Sequence, residues 1–401
     1  MPFFEWKGKS ISGEIRSGVL EAPNSQVVEV YLRRLNIIPI KIQQKKESAL
    51  KFQFKRVSEK ELTLFTRQFA TVLEAGLPIV RGLETLANQQ RNPYFKEVLS
   101  NIKKMVEGGN SLSEAMAHYS KIFSTLYIQM VRSGESSGNL DVVLKRLATY
   151  LEKILSLKSK IKHAMIYPSV IVLVTIVVVS IIMLYVIPKF AELFKEAGQS
   201  LPLPTQILIN ISHNFKSLFG IFVLLLVALV VFIKYYRKSE EGKYNTDKIL
   251  LKLPLLGELF HKAAISRIAR TLANLIAAGI PLLQALSIAG ETAGNKVLEK
   301  AMEDIKVNVS AGHTIADPMF FTGVFPYMVV EMVRIGEMSG NLEEMLTKVA
   351  DFYEEEVDRT VQTLSTLIEP ILLVILGVVI GGILVALYLP IFQLGGVVGG
   401  G

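Results

Sequence analysis

Arg67 to Ala87 reads RQFATVLEAGLPIVRGLETLA, and Arg270 to Gly290 reads RTLANLIAAGIPLLQALSIAG. Gly76 falls on Gly279 and Pro78 on Pro281, an offset of 203 residues that also sets Ile102 and Gly109 on Ile305 and Gly312. One deletion later the offset is 202. There Gly134-Glu135-Ser136-Ser137-Gly138-Asn139-Leu140 meets Gly336-Glu337-Met338-Ser339-Gly340-Asn341-Leu342, and Pro168 and Pro188 meet Pro370 and Pro390. Self-similarity at a constant offset is the mark of one structural unit built twice.

Outward from the repeat lie three uncharged runs. Ala164 to Ile187 and Ile371 to Leu394 have 24 residues each, and Ser217 to Ile233 has 17 between Lys216 and Lys234. Each is long enough for a hydrocarbon core of about 30 Å, the shortest with help from its snorkelling lysines. The flanks set the direction. Lys158, Lys160 and Lys162 precede the first run, and Lys234, Arg237, Lys238 and Lys243 follow the second, so both flanks belong in the cytoplasm. Each copy of the repeat therefore enters the membrane from the same side, and the middle span is the return between them. The expected layout places the N-terminus in the cytoplasm and the C-terminus outside it. The first residues, MPFFEW, lack the basic and apolar regions of a cleaved signal.

Composition agrees. Half of the 401 residues are apolar and only 20% are charged, with a mean hydropathy of +0.40. The net charge of +8 is accounted for by the positive-inside bias, so no nucleic-acid partner is expected. The absence of cysteine excludes disulfides, thiolate metal sites and cysteine nucleophiles.

Within each copy the apolar period is helical, which predicts an all-α membrane protein with two tandem-repeat cytoplasmic bundles of about six helices each. Ser58-x-x-Glu61 and Ser111-x-x-Glu114 have the form of capping boxes, and Thr314-x-x-Asp317 is a weaker one. Gly76 with Pro78, and Gly279 with Pro281, predict a C′ glycine followed by a proline at N1. In the repeated Gly-Glu-x-Ser-Gly-Asn-Leu block the second glycine suits a left-handed turn, and Asn139 and Asn341 suit N-caps. The helices begun there run without a breaker toward the first and third spans. In residues 1–56, Phe4-Glu5-Trp6, Gly13-Glu14-Ile15 and Ile37 to Ile42 alternate like strands around a helix near Ser25 to Leu35, forming a small α+β module whose linker is Gln43 to Lys55. The resulting division is 1–56 for the module, 57–163 and 236–369 for the bundles, 164–187, 217–235 and 370–394 for the spans, 188–216 for an outer loop and 395–401 for an outer tail.

No phosphate-cradling Gly-x4-Gly-Lys-[Ser/Thr] loop, dinucleotide fingerprint, His-Glu-x-x-His, EF-hand or Gly-x-Ser-x-Gly elbow occurs. Neither catalysis nor a cofactor or resident metal is expected. Glu135 and Glu337 recur in both copies, as caps, ion-pair members or partner contacts along with Asn139 and Asn341. Glu354, Glu355, Glu356 and Asp358 make either a solvated face or a dock for a basic partner or divalent cation. Glu369 stands at the mouth of the third span where the first copy has Tyr167, a costly place for an acid without a partner. Gly377-x-x-x-Gly381 invites close approach of a helix from this chain or a second copy. Pro168, Pro188, Pro370 and Pro390 bracket the outer spans and mark kinks or ends.

Lys160-Ile161-x-x-Ala164-Met165-x-Tyr167-Pro168, closed by Val186-Ile187-Pro188, resembles the signature of the type II secretion F family, and the duplicated Ala-Gly-[Leu/Ile]-Pro and Gly-Glu-x-Ser-Gly-Asn-Leu blocks are similar to the same family. The second copy departs from it with Glu369-Pro370. The resemblance implies an oligomeric, non-enzymatic inner-membrane platform of type IV pilus assembly or type II secretion. Its implied partners are a hexameric assembly or retraction ATPase, pilin or pseudopilin, other inner-membrane assembly proteins and membrane lipid. A small-solute transporter and a membrane-anchored signalling receptor are the alternatives; the first calls for paired polar residues or broken helices within the membrane, the second for a sizeable outer sensor domain.

Overall fold

A computed structural model describes residues 3–10, 15–22, 24–34, 37–44, 56–196, 201–254 and 256–398. The chain forms two compact units, residues 1–56 and 57–401. In the first, strands β1 (Phe3–Ser10), β2 (Ile15–Glu21) and β3 (Ile37–Gln44) form an antiparallel sheet of order β2-β1-β3. Helix α1 (Ser25–Arg34) follows β2, and Phe4, Val28, Leu32 and Ile37 form the core. Gln43 and Gln44, expected in the linker for their polarity, instead end β3, because their backbones continue the ladder opposite Glu5 and Phe4. The expected strand residues Gly13 and Glu14, and linker residues 45–55, lie outside the described residues.

The second unit contains the repeat. Copy one comprises α2 (Glu59–Glu74), α3 (Ile79–Gln89), α4 (Pro93–Glu107), α5 (Leu112–Ala117), α6 (Thr125–Ser137) and the start of α7 (Leu140–Ile181). Beyond a wide π turn at Ile182–Val186 come α8 (Ile187–Glu196), α9 (Leu203–His213), the middle apolar helix α10 (Phe215–Tyr236) and α11 (Glu240–Lys252). Copy two comprises α12 (Leu256–Ala277), α13 (Leu282–Thr292), α14 (Lys296–Ser310), α15 (Ala316–Phe321), α16 (Tyr327–Ser339) and the start of α17 (Leu342–Val398). Among the described residues each bundle thus has six helices, and three helices are long and apolar enough to cross a membrane: α7 with its continuation, α10 and α17.

Local chemistry explains the helix boundaries. The Ser58–Glu61 and Ser111–Glu114 capping boxes both form reciprocally. Helix α2 ends in a Schellman motif in which Gly76 N–H reaches Leu73 O at 2.9 Å and Leu77 N–H reaches Val72 O at 3.2 Å. Copy two repeats it with Gly279 to Ile276 and Ile280 to Leu275. Gly76 and Gly279 have φ of 82° and 76°, where a Cβ is strained. Pro78 and Pro281 occupy the N-cap, one position earlier than expected, because their ψ of 144° and 137° is extended.

The two bundles share one hydrophobic core. Phe65, Phe69 and Phe95 pack as an aromatic trio with centroid spacings of 5.4 Å. Copy two places Ile268, Leu272 and Leu298 there, so the architecture survives a change of core chemistry.

Candidate functional site

The repeated seven-residue block organises the inside of each bundle. A Cβ on Gly134 would sit 3.1 Å from Leu140 Cα, and one on Gly336 would sit 2.9 Å from Leu342 Cα, so these glycines allow successive helices to cross in contact. The adjacent glutamate points back across the bundle. Glu135 accepts from the backbone N–H of Leu112 at 2.5 Å and Ser113 at 2.8 Å, capping α5. Glu337 accepts from Ile315 at 2.6 Å and Ala316 at 2.9 Å, capping α15. Gly138 and Gly340 take the expected left-handed turn, with φ of 73° and 72°. Asn139 makes no side-chain cap, contrary to expectation; with φ −110° and ψ 42° it lies outside the extended region in which an N-cap side chain reaches the N2 and N3 amides. Thr314 likewise makes no cap. Its hydroxyl donates to Asp317 at 2.9 Å, and Glu337 takes the amides instead.

A second duplicated contact ties the first helix of each bundle to the last. Arg67 grips Glu152 through Nε at 2.7 Å and Nη2 at 2.6 Å and adds Thr149 at 2.9 Å. The hydrogen bonds that Arg67 donates to the Glu152 carboxylate hold the guanidinium above its ordinary pKa. In copy two Arg270 grips Glu354 at 2.9 Å and Asp351. Such forked pairs fix orientation as well as contributing energy.

Between the copies, α7 and α17 run side by side toward the membrane. Arg146 pairs with Glu343 at 3.0 Å, Lys153 with Asp351 at 3.1 Å and Glu354 at 2.8 Å, and Lys160 with Asp358 at 2.5 Å. At the mouth of the spans Tyr167 Oη donates to Glu369 at 3.4 Å, so these two equivalent residues meet each other. The four residues on α7 lie seven apart, the interval at which one side of a helix keeps facing a parallel neighbour. Between the rungs Leu157 and Ile161 join Leu259, Ala263, Val357 and Val361 in an apolar seam. Arg267 lies beside it and donates to Ala293 O at 3.2 Å; burial lowers its pKa.

The acidic run is therefore distributed among cations of the same chain. Glu354 faces Lys153 and Arg270, Glu355 lies 3.6 Å from Arg359, Glu356 pairs with Lys262 at 3.0 Å, and Asp358 pairs with Lys160. Among the described residues no group of three or more His, Asp or Glu is placed to hold a metal ion. A Cβ added to Gly377 or Gly381 would meet nothing within 4 Å, so among the described residues no other helix approaches them closely.

Two contacts not anticipated from sequence anchor the spans. At the return of α10, buried Asp247 accepts from Arg237 at 2.7 Å and from Lys296 N–H at 2.8 Å, joining α10, α11 and α14. At the end of the spans away from the bundles, α9 crosses both copies. Proline lacks an N–H and orphans a carbonyl one turn back. Thr205 Oγ1 donates at 2.5 Å to Ala386 O, four residues before Pro390, and Ser212 Oγ donates at 2.5 Å to Met183 O, five residues before Pro188 in the π turn. Pro168 and Pro370 are passed within continuous helices.

Duplication extends to the family match. The profile described as "Type II secretion system (T2SS), protein F" matches residues 65–188 and again 268–390, each match ending on one of these stitched prolines. The chain belongs to the type II secretion system protein F family. The N-terminal domain of protein F matches residues 1–43. The type IV pilus assembly protein PilC of Myxococcus xanthus is 41% identical over 400 residues, 98% of this chain and 95% of that protein. PilC of Pseudomonas aeruginosa is 40% identical over 375 residues, 93% and 100% of the two chains. The type II secretion system protein F of Vibrio cholerae is 31% identical over 401 residues, 98% of each. Within this protein F fold, the repeat-to-repeat ladder is the candidate working part: it is where two bundles meet and where both continue into the membrane.

Proposed function

We propose that this chain is the inner-membrane platform of type IV pilus assembly, coupling movement of a cytoplasmic hexameric assembly or retraction ATPase to insertion or extraction of pilin. The pilus assignment over a secretion one rests on the higher identity to the pilus relatives. The observation that carries the coupling is the continuity of α7 and α17, each of which begins in a bundle, is locked to the other by the charge ladder, and runs without a break into an apolar span. A turn imposed on the bundles travels along two connected rods rather than through loops. In this reading the bundles face the cytoplasm, α8 and α9 face the other side, and the spans receive pilin. None of the three relatives described is named as a transporter.

The deciding experiment is co-purification of the full-length protein in detergent with the hexameric ATPase of its own operon, with ATP turnover measured with and without it. Stable association with stimulated turnover supports the coupling. An active ATPase that neither binds nor responds overturns it.

A further inference from the structure

Copy one meets copy two by unlike faces. Ser133 on α6 donates to Ala278 O, and Thr271 on α12 donates to Tyr150 Oη on α7 at 3.5 Å. Where α7 passes α12 the junction holds a cavity of about 180 Å³, lined by the cations Lys145, Arg146, Lys153 and Arg270 and, among the described residues, by no carboxylate. Its rim is wet and its floor is dry: the Lys145 side chain is 56% exposed, that of Arg270 12% and Tyr150 8%. Two polar groups of the lining have unused hydrogens among the described residues. The Asn274 side-chain amide makes no hydrogen bond, and Tyr150 is only an acceptor, so its proton has nowhere to go. Arg267 is near enough to Tyr150 for each to influence the other's ionisation. It is largely buried, donates only to Ala293 O and makes no ion pair among the described residues. A buried cation without a counter-charge is costly, and an anion nearby relieves it.

We propose that this cavity binds a small soluble oxyanion of the phosphate class, which ties α7 of copy one to α12 of copy two. Charge selects the ligand. The carboxylates paired with the lining cations are Glu74, Glu343, Asp351 and Glu354, four against five cations once Arg267 is included. Exposed pairs such as Lys145 with Glu74 hold weakly and yield to a multivalent anion. The forked guanidiniums of Arg146 and Arg270, with the Asn274 amide, suit the several oxygens of a phosphate. Size narrows the choice: the cavity is smaller than the about 300–1,000 Å³ that encloses a whole organic ligand, which suits phosphate or pyrophosphate. Position argues against a lipid. Tyr150 stands fourteen residues before Ala164, about 21 Å along α7, whereas the headgroup layer extends about 5–8 Å beyond the hydrocarbon. The repeat does not demand these groups either: Lys145, Lys153 and Tyr150 correspond to Thr347, Glu355 and Phe352, and Arg267 to Leu64. The bundle is built twice, but this set of charges once. The inference concerns a ligand of this chain and stands apart from any ATPase or pilin contact.

The probe is pyrophosphate, titrated calorimetrically into the full-length protein in a neutral, phosphate-free detergent at an ionic strength held constant with chloride. One site per chain and a raised midpoint of thermal unfolding are expected. Asn274→Asp is nearly isosteric at a side chain without a hydrogen bond; it sets a like charge in the cavity and should weaken binding on the order of tenfold. Lys145→Gln, at the exposed rim, should weaken it about threefold. Thr71→Asp, at the position equivalent to Asn274 in copy one, adds the same charge elsewhere and should leave the affinity unchanged. Titration in nanodiscs separates a soluble ligand from a lipid: equal affinity in phosphatidylglycerol and phosphatidylcholine discs is expected. Absence of binding by the native protein would overturn the proposal, as would unchanged affinity in both Asn274→Asp and Lys145→Gln. Competition by phosphatidylglycerol would give the site to a lipid headgroup and overturn the soluble ligand.

Discussion

Thr205 donates its hydroxyl proton to the carbonyl of Ala386 at 2.5 Å, the group that Pro390 leaves without a partner. Ser212 does the same for Met183 ahead of Pro188. Since Pro188 and Pro390 are equivalent positions of the repeat, one short helix repairs the same defect in both copies and binds their spans together. An unsatisfied carbonyl at membrane depth costs free energy that neighbouring hydroxyls remove. Thr205→Val with Ser212→Ala should therefore destabilise the spans by about 1–2 kcal/mol in total. A lowered midpoint of thermal unfolding in detergent, with unchanged expression, is the expected result.

Glu135 and Glu337 cap short helices across their bundles, so their loss acts on the fold before it acts on any partner. Glu135→Ala and Glu337→Ala should each destabilise by about 1–2 kcal/mol. Denaturant unfolding of the purified protein should show both midpoints lowered, with the double variant close to the sum because the two sites are in separate bundles.

Gly134 and Gly336 admit the backbone of the following helix, and a methyl group has no room there. Alanine at either position should cost about 1–3 kcal/mol through overpacking. Gly377→Ala, with open space around it, should leave the unfolding midpoint of the monomer within about 0.5 kcal/mol.

The ladder can be tested by exchange of charge. Lys160→Asp should weaken the α7–α17 contact by less than about 1 kcal/mol, since the pair is partly exposed, and Asp358→Lys in the same chain should restore it. If the ladder transmits motion, pilus assembly should fall in the single variant and recover in the exchanged one, while protein level stays constant throughout.

Burial opposes ionisation of Glu61, but hydrogen bonds from the Ser58 backbone and hydroxyl and from Asn92 hold its pKa below the ordinary carboxylate value. A carboxyl lowered on folding contributes stability above its unfolded pKa and loses it as pH falls through the folded one. Stability should decline below about pH 4.5. Glu61→Gln should decline less steeply over that interval, as measured by chemical unfolding at stepped pH.

Much of this architecture was legible before any coordinates. The duplicated glycine-proline corners, the three uncharged runs and the serine-glutamate boxes specify helix ends and apolar length, which depend on residues close in the chain. The junction was less legible. Arg146, Lys153, Lys160 and Tyr167 carry a signal in their seven-residue spacing, but nothing in that spacing names Glu343, Asp351, Asp358 and Glu369 as the other side. Asp247, Thr205 and Ser212 carry no pattern at all.

Local chemistry by itself determined that this protein is helical, duplicated and threaded through a membrane, because capping, apolar period and span length act over a few turns of backbone. Tertiary structure alone decided that Glu135 reaches Leu112, that Thr205 reaches Ala386 and that copy one meets copy two by unlike faces. Each of these joins residues far apart in sequence, and a hydrogen bond or ion pair needs its two atoms within about 3 Å, a condition that only the packed chain meets.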